Sequence, residues 1–273
     1  MSVLQAFILG AIQGLTEFLP ISSSGHLIII PKLFHWPLQP LAFDVVLHIG
    51  TLLAVIFYFK KDLWKIIHSA LFFKDPAYTK ERYLIAPLII GILPATIAGF
   101  LLNNYLDSTL RSSRVITSIV IFNLILWGVF LIAADWYEKK GLPAQKDPSV
   151  HVKISQSLVI GLFQIFSLIP GTSRSGVTIG AGIFAKLSKI EAARFSFLMS
   201  VPLIFGAGLL KIKDLAVDQN LSIEVVPLIV GLLTSAIVGW LAIAILMKAL
   251  KHFGLTIFGI YRIVLAGVLL IVL

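Results

Sequence analysis

The chain has 273 residues, 58% of them hydrophobic and 13% charged, with a mean hydropathy of +0.99. Soluble domains carry about 25% charged residues, so this is a polytopic membrane protein whose solvent is largely the bilayer. Its formal charge of +9 does not indicate nucleic-acid binding, because the Lys and Arg residues are spread between apolar stretches, as in the cytoplasmic loops of membrane proteins. The absence of cysteine excludes disulfides, thiolate metal sites and cysteine nucleophiles.

No charged side chain precedes Glu17 and no basic stretch precedes the first apolar run, so no cleaved signal peptide is expected. Residues 3 to 18 are apolar, but Pro20 and three serines stop the predicted helix short of the roughly 20 residues that span a bilayer. After Gly25 a second short apolar run, Leu27 to Ile30, ends at Pro31. Two half-length helices joined by a polar turn predict a re-entrant hairpin, allowed at membrane depth only where protein or water covers its irregular backbone. Runs at about 43 to 59, 84 to 103 and 115 to 134 are each long enough to span. Residues 137–153, with Pro143, Pro148 and a cluster of charges, predict a cytoplasmic linker between a first repeat over 1–136 and a second over 154–273.

The two halves match in sequence. Phe43 to Leu63 aligns without a gap on Phe195 to Leu215, and Pro87, Gly91 and Gly99 align on Pro227, Gly231 and Gly239. Trp127-Gly128-Val129 falls on Ala266-Gly267-Val268, which places Phe122 on Tyr261 and Asn123 on Arg262. Gly14-Leu15-x-Glu17 has its echo in Gly161-Leu162-x-Gln164, and Pro20 to Gly25 in Pro170 to Gly176. The predicted fold is therefore an all-α polytopic membrane protein of two repeats, each a re-entrant helical hairpin plus three transmembrane helices. An odd number of crossings per half makes the repeats inverted, with a site where their broken helices meet. Under this topology one side of the membrane carries 15 loop Lys or Arg and the other five. The excess marks the cytoplasm, so both termini and the mouth of the first hairpin face outward.

Glu17 and Arg174 each sit on a predicted hairpin, and a charge near the bilayer centre costs at least about 2.5 to 3.5 kcal/mol, so both read as functional groups facing a polar cavity. A mutual ion pair that merely locks the repeats is the structural alternative. Gly171, Thr172, Ser173, Arg174, Ser175 and Gly176 precede Val177-Thr178 at a predicted helix start, where unpaired amides and the helix dipole bind phosphate. Arg174 adds a forked cation. Ser22, Ser23, Ser24 and Gly25 build the same kind of terminus in the first half. Gln13 and Glu17, spaced i and i+4, share a helix face and are candidate ligands for Mg²⁺ or Ca²⁺ if phosphates and water complete the shell. Glu17 is equally a candidate general base or orienter of an imidazole, and His26 a candidate base, acid or nucleophile beside the serines. Asp44 and His48 read as supporting or boundary groups, Asn123 and Arg262 as packing features. The Gly-rich runs at Gly91 to Gly99, Gly180 to Gly182, Gly206 to Gly208 and Gly231 to Gly239 read as close helix contacts.

The segments Gln13-Gly-Leu-Thr-Glu17-Phe-Leu-Pro-Ile-Ser-Ser-Ser-Gly-His26 and Pro170-Gly-Thr-Ser-Arg174-Ser-Gly-Val-Thr178 resemble the motifs of the undecaprenyl-diphosphate phosphatase, or bacitracin-resistance, family, and the likeness runs the length of the chain. The resemblance implies a bacterial plasma-membrane enzyme that hydrolyses the C55 isoprenyl diphosphate of cell-wall assembly to the monophosphate carrier and phosphate. It implies dependence on a divalent cation, bacitracin resistance on overproduction and an outward-facing site. By position it makes Glu17 the essential acid, Ser23 and His26 the nucleophile and base, and Arg174 with Ser173 and Ser175 the holder of phosphate. Gln13 stands where many members have a first glutamate, which moves the expected metal to a place between Glu17 and the diphosphate. The expected mechanism has Ser23, activated by His26 and oriented by Glu17, attack the terminal phosphorus, with His26 attack and activated water as alternatives. The expected partners are a polyprenyl diphosphate lipid and the bilayer, with no nucleic acid, and a homodimer is compatible with the sequence. A secondary transporter or flippase for a phosphorylated lipid is the reading from another class, since inverted repeats with broken helices are a transporter architecture.

Overall fold

The computed structural model describes residues 1–105, 116–140, 152–217 and 224–272, and among these every regular element is helical. In chain order they are α1 (Val3–Phe18), α2 (Ser23–Leu33), α3 (Leu41–Tyr58), α4 (Lys60–Leu71), α5 (Thr79–Tyr105), α6 (Ile116–Lys139), α7 (Ile154–Gln164), α8 (Arg174–Phe184), α9 (Lys189–Val217), α10 (Val225–Ala249) and α11 (Thr256–Val272), with short 3-10 turns at Pro76–Tyr78 and Ile165–Leu168. Helices α3, α5, α6, α9 and α10 are long and apolar enough to cross a membrane. The chain is thus a multi-pass membrane protein. Most of the linker expected over 137–153 lies outside the described residues, as do Arg111 and Arg114.

Both expected hairpins are present as broken helices, α1 with α2 and α7 with α8. The partners within each pack on one another. Two details differ from the sequence reading. Helix α2 does not stop at Pro31 but continues to Leu33. Proline removes the amide that would bond the carbonyl four residues back, and here Gln39 Nε2 donates to that Leu27 carbonyl at 3.2 Å, so the helix runs on with its lost bond replaced. The last expected span, α11, has only 17 residues, about 26 Å at helical rise. Its start is set by the buried carboxylate of Asp135, which accepts from the Leu255 amide at 3.1 Å and from the Thr256 hydroxyl. A side chain at Gly254 would fall on that same carboxylate.

Packing brings the halves together in matched pairs: α1 lies on α10 and its counterpart α7 on α5, while α3 meets α9 and α6 meets α11. The first two contacts are backbone against backbone. A Cβ added at Gly14 would lie 2.8 Å from both the Gly239 nitrogen and the Ser235 oxygen, and one at Gly161 would lie 2.6 Å from the Gly91 oxygen. Small residues allow such approach where no hydrophobic driving force separates helix from lipid. Gly206 and Gly208, expected to serve the same purpose, do not: nothing lies within 4 Å of a Cβ built at either. An apolar cluster that includes Phe18, Phe59 and Phe197 fills the space below the α1 tip, the Phe18 and Phe197 rings meeting edge to face at 5.5 Å.

This contrast between glycines is measurable. Gly14→Ala should lower stability by about 1 to 3 kcal/mol through overpacking, whereas Gly206→Ala should leave it unchanged or raise it by up to about 1 kcal/mol through helix propensity. Thermal unfolding of the two variants in detergent reads the difference.

Candidate active site

The two hairpin tips are built alike. Helices α2 and α8 are each 11 residues long, and each begins after a serine with positive φ, Ser22 at 79° and Ser173 at 72°. Non-glycine residues at such φ store strain of about 1 to 3 kcal/mol, persist only where the surroundings impose it, and cluster at functional sites. Each serine caps its own helix: Ser22 Oγ accepts from the Gly25 amide at 3.3 Å and Ser173 Oγ from the Gly176 amide at 3.2 Å. The helices also end alike, at the positive-φ residues His35 and Lys186.

These tips are irregular backbone buried inside a membrane protein, so their carbonyls need internal donors. Arg262 of α11, fully buried, supplies them. Its guanidinium donates to the Pro20 carbonyl at 3.4 Å and the Gly171 carbonyl at 2.8 Å, one on each tip, and to the Asn123 and Leu124 carbonyls of α6. Asn123, its counterpart in the first half, donates through Nδ2 to the Pro170 carbonyl at 3.3 Å, while its Oδ1 accepts from Trp127 and from the Thr172 hydroxyl. Each Pro at a tip is thus held by the third long helix of the other half. Further bonds join tip to tip. The Gly171 amide donates to Ser24 Oγ at 3.4 Å, and Ser175 Oγ lies 3.2 Å from both the Glu17 and the Leu19 carbonyls.

At this junction the acid, the cation and one serine converge. Glu17 is buried, with Oε1 accepting from Arg174 Nη2 at 3.0 Å and Oε2 from the Ser23 hydroxyl at 2.7 Å and from Gln13 Nε2 at 3.1 Å. His48 of α3 brings Nε2 to 3.8 Å from the same Oε2, with its Nδ1 2.7 Å from the Asp44 carbonyl, and Gln39 Nε2 donates to Asp44 Oδ1. Arg174 also donates to the Ser196 carbonyl of α9 at 3.4 Å, and Thr178 Oγ1 lies 2.6 Å from Ser196 Oγ. The first-turn amides of Ser23 and Ser24 on α2, and of Arg174 and Ser175 on α8, lack intrahelical acceptors as at every helix start. Two positive helix ends therefore lie beside the Glu17 and Arg174 pair.

His26 behaves differently from expectation. Its Nδ1 is 2.7 Å from the Ser22 carbonyl and its Nε2 2.8 Å from the Tyr261 hydroxyl, with the two rings stacked at 5.9 Å. A carbonyl only accepts, so Nδ1 carries the proton and Nε2 of the neutral ring accepts from Tyr261. The Ser23 hydroxyl bonds to Glu17 and not to His26. Of the expected phosphate ligands, Ser22, Thr172, Ser173, Ser175 and Thr178 spend their hydroxyls on caps and cross-links within the tips, and the amides of Gly25 and Gly176 are taken by those caps. Tyr261 and Ser196 were not singled out in the sequence. Tyr261 had one signal, a hydroxyl beside Arg262 in an aliphatic run. Ser196 had none.

The family described as Bacitracin resistance protein BacA matches residues 6–268. Curated relatives align along almost their whole lengths. The chain is 43% identical to the undecaprenyl-diphosphatase of Pelotomaculum thermopropionicum over 274 residues, covering 100% of this chain and 97% of the relative. It is 41% identical to that of Trichlorobacter lovleyi, with 98% and 96% covered, and 40% identical to that of Geobacter metallireducens, with 100% and 99% covered.

If Arg262 holds both tips, Arg262→Met leaves the Pro20 and Gly171 carbonyls buried without a donor, at about 1 to 3 kcal/mol each. The variant should melt well below the parent in detergent, Arg262→Lys should fall between them, and Asn123→Ala should cost less than Arg262→Met.

Proposed function

The chain belongs to the BacA family of bacitracin resistance proteins, and from that premise we infer that it is an undecaprenyl-diphosphatase: a membrane hydrolase that converts undecaprenyl diphosphate to undecaprenyl phosphate and inorganic phosphate. That activity recycles the lipid carrier of cell-wall synthesis and confers bacitracin resistance. The observation that carries the chemistry is the convergence on one buried carboxylate, Glu17, of a serine hydroxyl from its own hairpin and the Arg174 guanidinium from the other. A hydrolase needs a nucleophile and an anion grip at one point, and in this reading Ser23 and Arg174 supply them.

A diphosphate entering between the tips competes with Glu17 for Arg174, which offers a planar fork matched to phosphate oxygens. The free amides at the starts of α2 and α8 and the Arg174 charge face the oxygens over which a loose phosphoryl-transfer transition state spreads its negative charge. Glu17, already bonded to the Ser23 hydroxyl, takes its proton as Ser23 Oγ forms a bond to the terminal phosphorus. The bond from that phosphorus to the bridging oxygen breaks, and undecaprenyl phosphate leaves on the lipid side. The departing lipid phosphate carries off the proton that Glu17 took, so the freed carboxylate accepts a proton from water as the water oxygen attacks the phosphoserine, and passes it to Ser23 Oγ as that phosphorus–oxygen bond breaks, releasing phosphate and restoring the hydroxyl. In this scheme Glu17 takes the base role that the sequence suggested for His26. His26, fixed in one tautomer between Ser22 and Tyr261, braces the start of α2.

A divalent cation is part of the same reading. Gln13 turns its Nε2 to the Glu17 carboxylate at 3.1 Å, and its Oε1 is buried with no hydrogen bond among the described residues. One carboxylate and one free amide oxygen suit Mg²⁺ or Ca²⁺, hard ions that complete their shells with phosphate oxygens and water. Among the described residues no three His, Asp or Glu side chains gather as a metal cage, so Glu17 and Gln13 would hold the ion jointly with the diphosphate. When bound, the cation neutralises phosphate charge.

The two halves are read as inverted repeats in the bacterial plasma membrane, with both termini and the site facing outward. The matched tips, the paired packing of α1 on α10 and α7 on α5, and the 15 to five distribution of loop cations support this orientation.

Phosphate release from undecaprenyl diphosphate by the purified protein, with and without divalent metal, tests the chemistry. Ser23→Ala, Glu17→Ala and Arg174→Ala should each lower turnover by about 10²- to 10⁴-fold. Near-normal turnover of Ser23→Ala would remove serine as the nucleophile, and lipid movement in vesicles without phosphate release would favour a flippase. For the topology, single cysteines at Ser2 and Lys139 of this cysteine-free chain should differ in intact cells: a membrane-impermeant maleimide should label the first and not the second.

A further inference from the structure

Helix α4 and the turn after it form a segment that the catalytic reading does not use. It connects two spans, α3 and α5, so it lies at a membrane surface. At 100° per residue its 12 residues divide into three faces. Leu63 and Ile66 pack on the core, Ser69 is buried, and Asp62 pairs with Arg194 at the start of α9, so one face is fixed to the protein. Trp64, Ile67 and Leu71 form a second, exposed stripe that continues into exposed Phe72 and Phe73. Lys61 and Lys65 stand on the third.

Between positions 60 and 82 there are six basic residues and three acidic ones. Each acid is engaged: Asp62 with Arg194, Glu81 with Lys65 at 3.7 Å, and Asp75 with the Ala77 amide at 2.9 Å. Arg82 is tied down as well, donating to the Asp75 carbonyl at 2.8 Å and covering the Phe73 ring. Lys60, Lys61 and Lys74 are exposed and have no carboxylate partner among the described residues. Lys74, past the end of α4, lines a cavity of about 470 Å³ with His68, Phe72, Phe73 and Asp75. His68, its ring 4.4 Å from both Phe72 and Tyr78, has a buried Nδ1 with no hydrogen-bond partner among the described residues.

We propose that α4 and the Phe72–Asp75 turn form a binding surface for anionic phospholipid, with Lys60 and Lys61 at the start of α4 and Lys74 past its end facing the phosphate headgroups and Trp64, Ile67, Leu71 and Phe72 along the acyl chains. The occupant follows from charge and geometry. Unpaired ammonium groups at a bilayer surface attract acidic lipid, and an amphipathic helix with lysines on its polar side and Trp and Leu on the other lies in the interface plane. The neighbouring apolar stripe favours a ligand with acyl chains over a purely water-borne anion. Through Asp62 and Arg194 the site is joined to α9, whose Ser196 carbonyl holds Arg174.

Because the chain has no cysteine, Ala70→Cys offers a unique place for a fluorophore beside the stripe. The full-length labelled protein is reconstituted in phosphatidylcholine vesicles containing a minority of brominated phosphatidylglycerol or, separately, brominated phosphatidylcholine. Phosphatidylglycerol should quench the label with a preference of about fivefold, falling towards one in the Lys60→Gln, Lys61→Gln, Lys74→Gln triple variant. Raising ionic strength on the unsubstituted protein should lower the preference in the same way, which keeps the test valid if the triple variant folds poorly. Equal quenching by the two lipids, a preference that survives both treatments, or a label shielded from both lipids by a second copy of the chain would each overturn the proposal.

Discussion

A peptide carbonyl at the tip of a broken helix, enclosed by other helices in an apolar slab, has no water to accept from. Two such tips meet in this protein, and one guanidinium, that of Arg262, donates to a carbonyl on each. The rest of the site depends on that fork. Without it the turns after α1 and before α8 would carry unpaired polar groups at a cost comparable to a sizeable part of a membrane protein's stability. With it, the strained φ of Ser22 and Ser173 is imposed by surroundings that leave the backbone little alternative. The repeat expresses the same solution twice in unequal form, since Asn123 reaches one tip with an amide where Arg262 reaches both with a cation.

The two functions of the tips are divided between the halves. At equivalent places Glu17 faces Gln164, and Ser23 of one helix start faces Arg174 of the other. A carboxylate and a guanidinium taken from different repeats neutralise each other across the junction at 3.0 Å. Each makes the other's burial tolerable, because a lone charge there would be costly. The same pairing places acid, hydroxyl and cation within one hydrogen-bonded cluster, so the contacts that make the charges stable in the interior are the ones on which the proposed phosphoryl transfer draws.

Much of this was legible in the sequence because membranes penalise polar residues. Glu17 and Arg174 stood out as ionisable groups in apolar runs, and the matches between the halves located the tips. Other features were hidden for definite reasons. The direction of the His26 ring depends on Tyr261, 235 residues away, and no local pattern encodes it. Pro31 reads as a helix stop, yet Gln39, beyond the end of the helix, replaces the lost bond. The short α11 follows from Asp135, which lies in a different helix. Gly206 and Gly208 have the composition of a helix contact and open space around them, since small residues permit close approach without requiring it.

Arg262 also has an electrostatic consequence. Glu17 and Arg174 cancel, but Arg262 is bonded only to carbonyls, and no carboxylate pairs with it among the described residues. The junction therefore keeps a net positive potential, reinforced by two helix starts and weakly screened because it is buried. Such a potential holds a ligand in proportion to its charge. A lipid diphosphate carries more negative charge than the lipid monophosphate left after cleavage, so in the proposed reaction the field of the buried cation that secures the tips would hold the substrate more tightly than the lipid product. On that reading a residue that touches none of the reacting atoms would favour turnover.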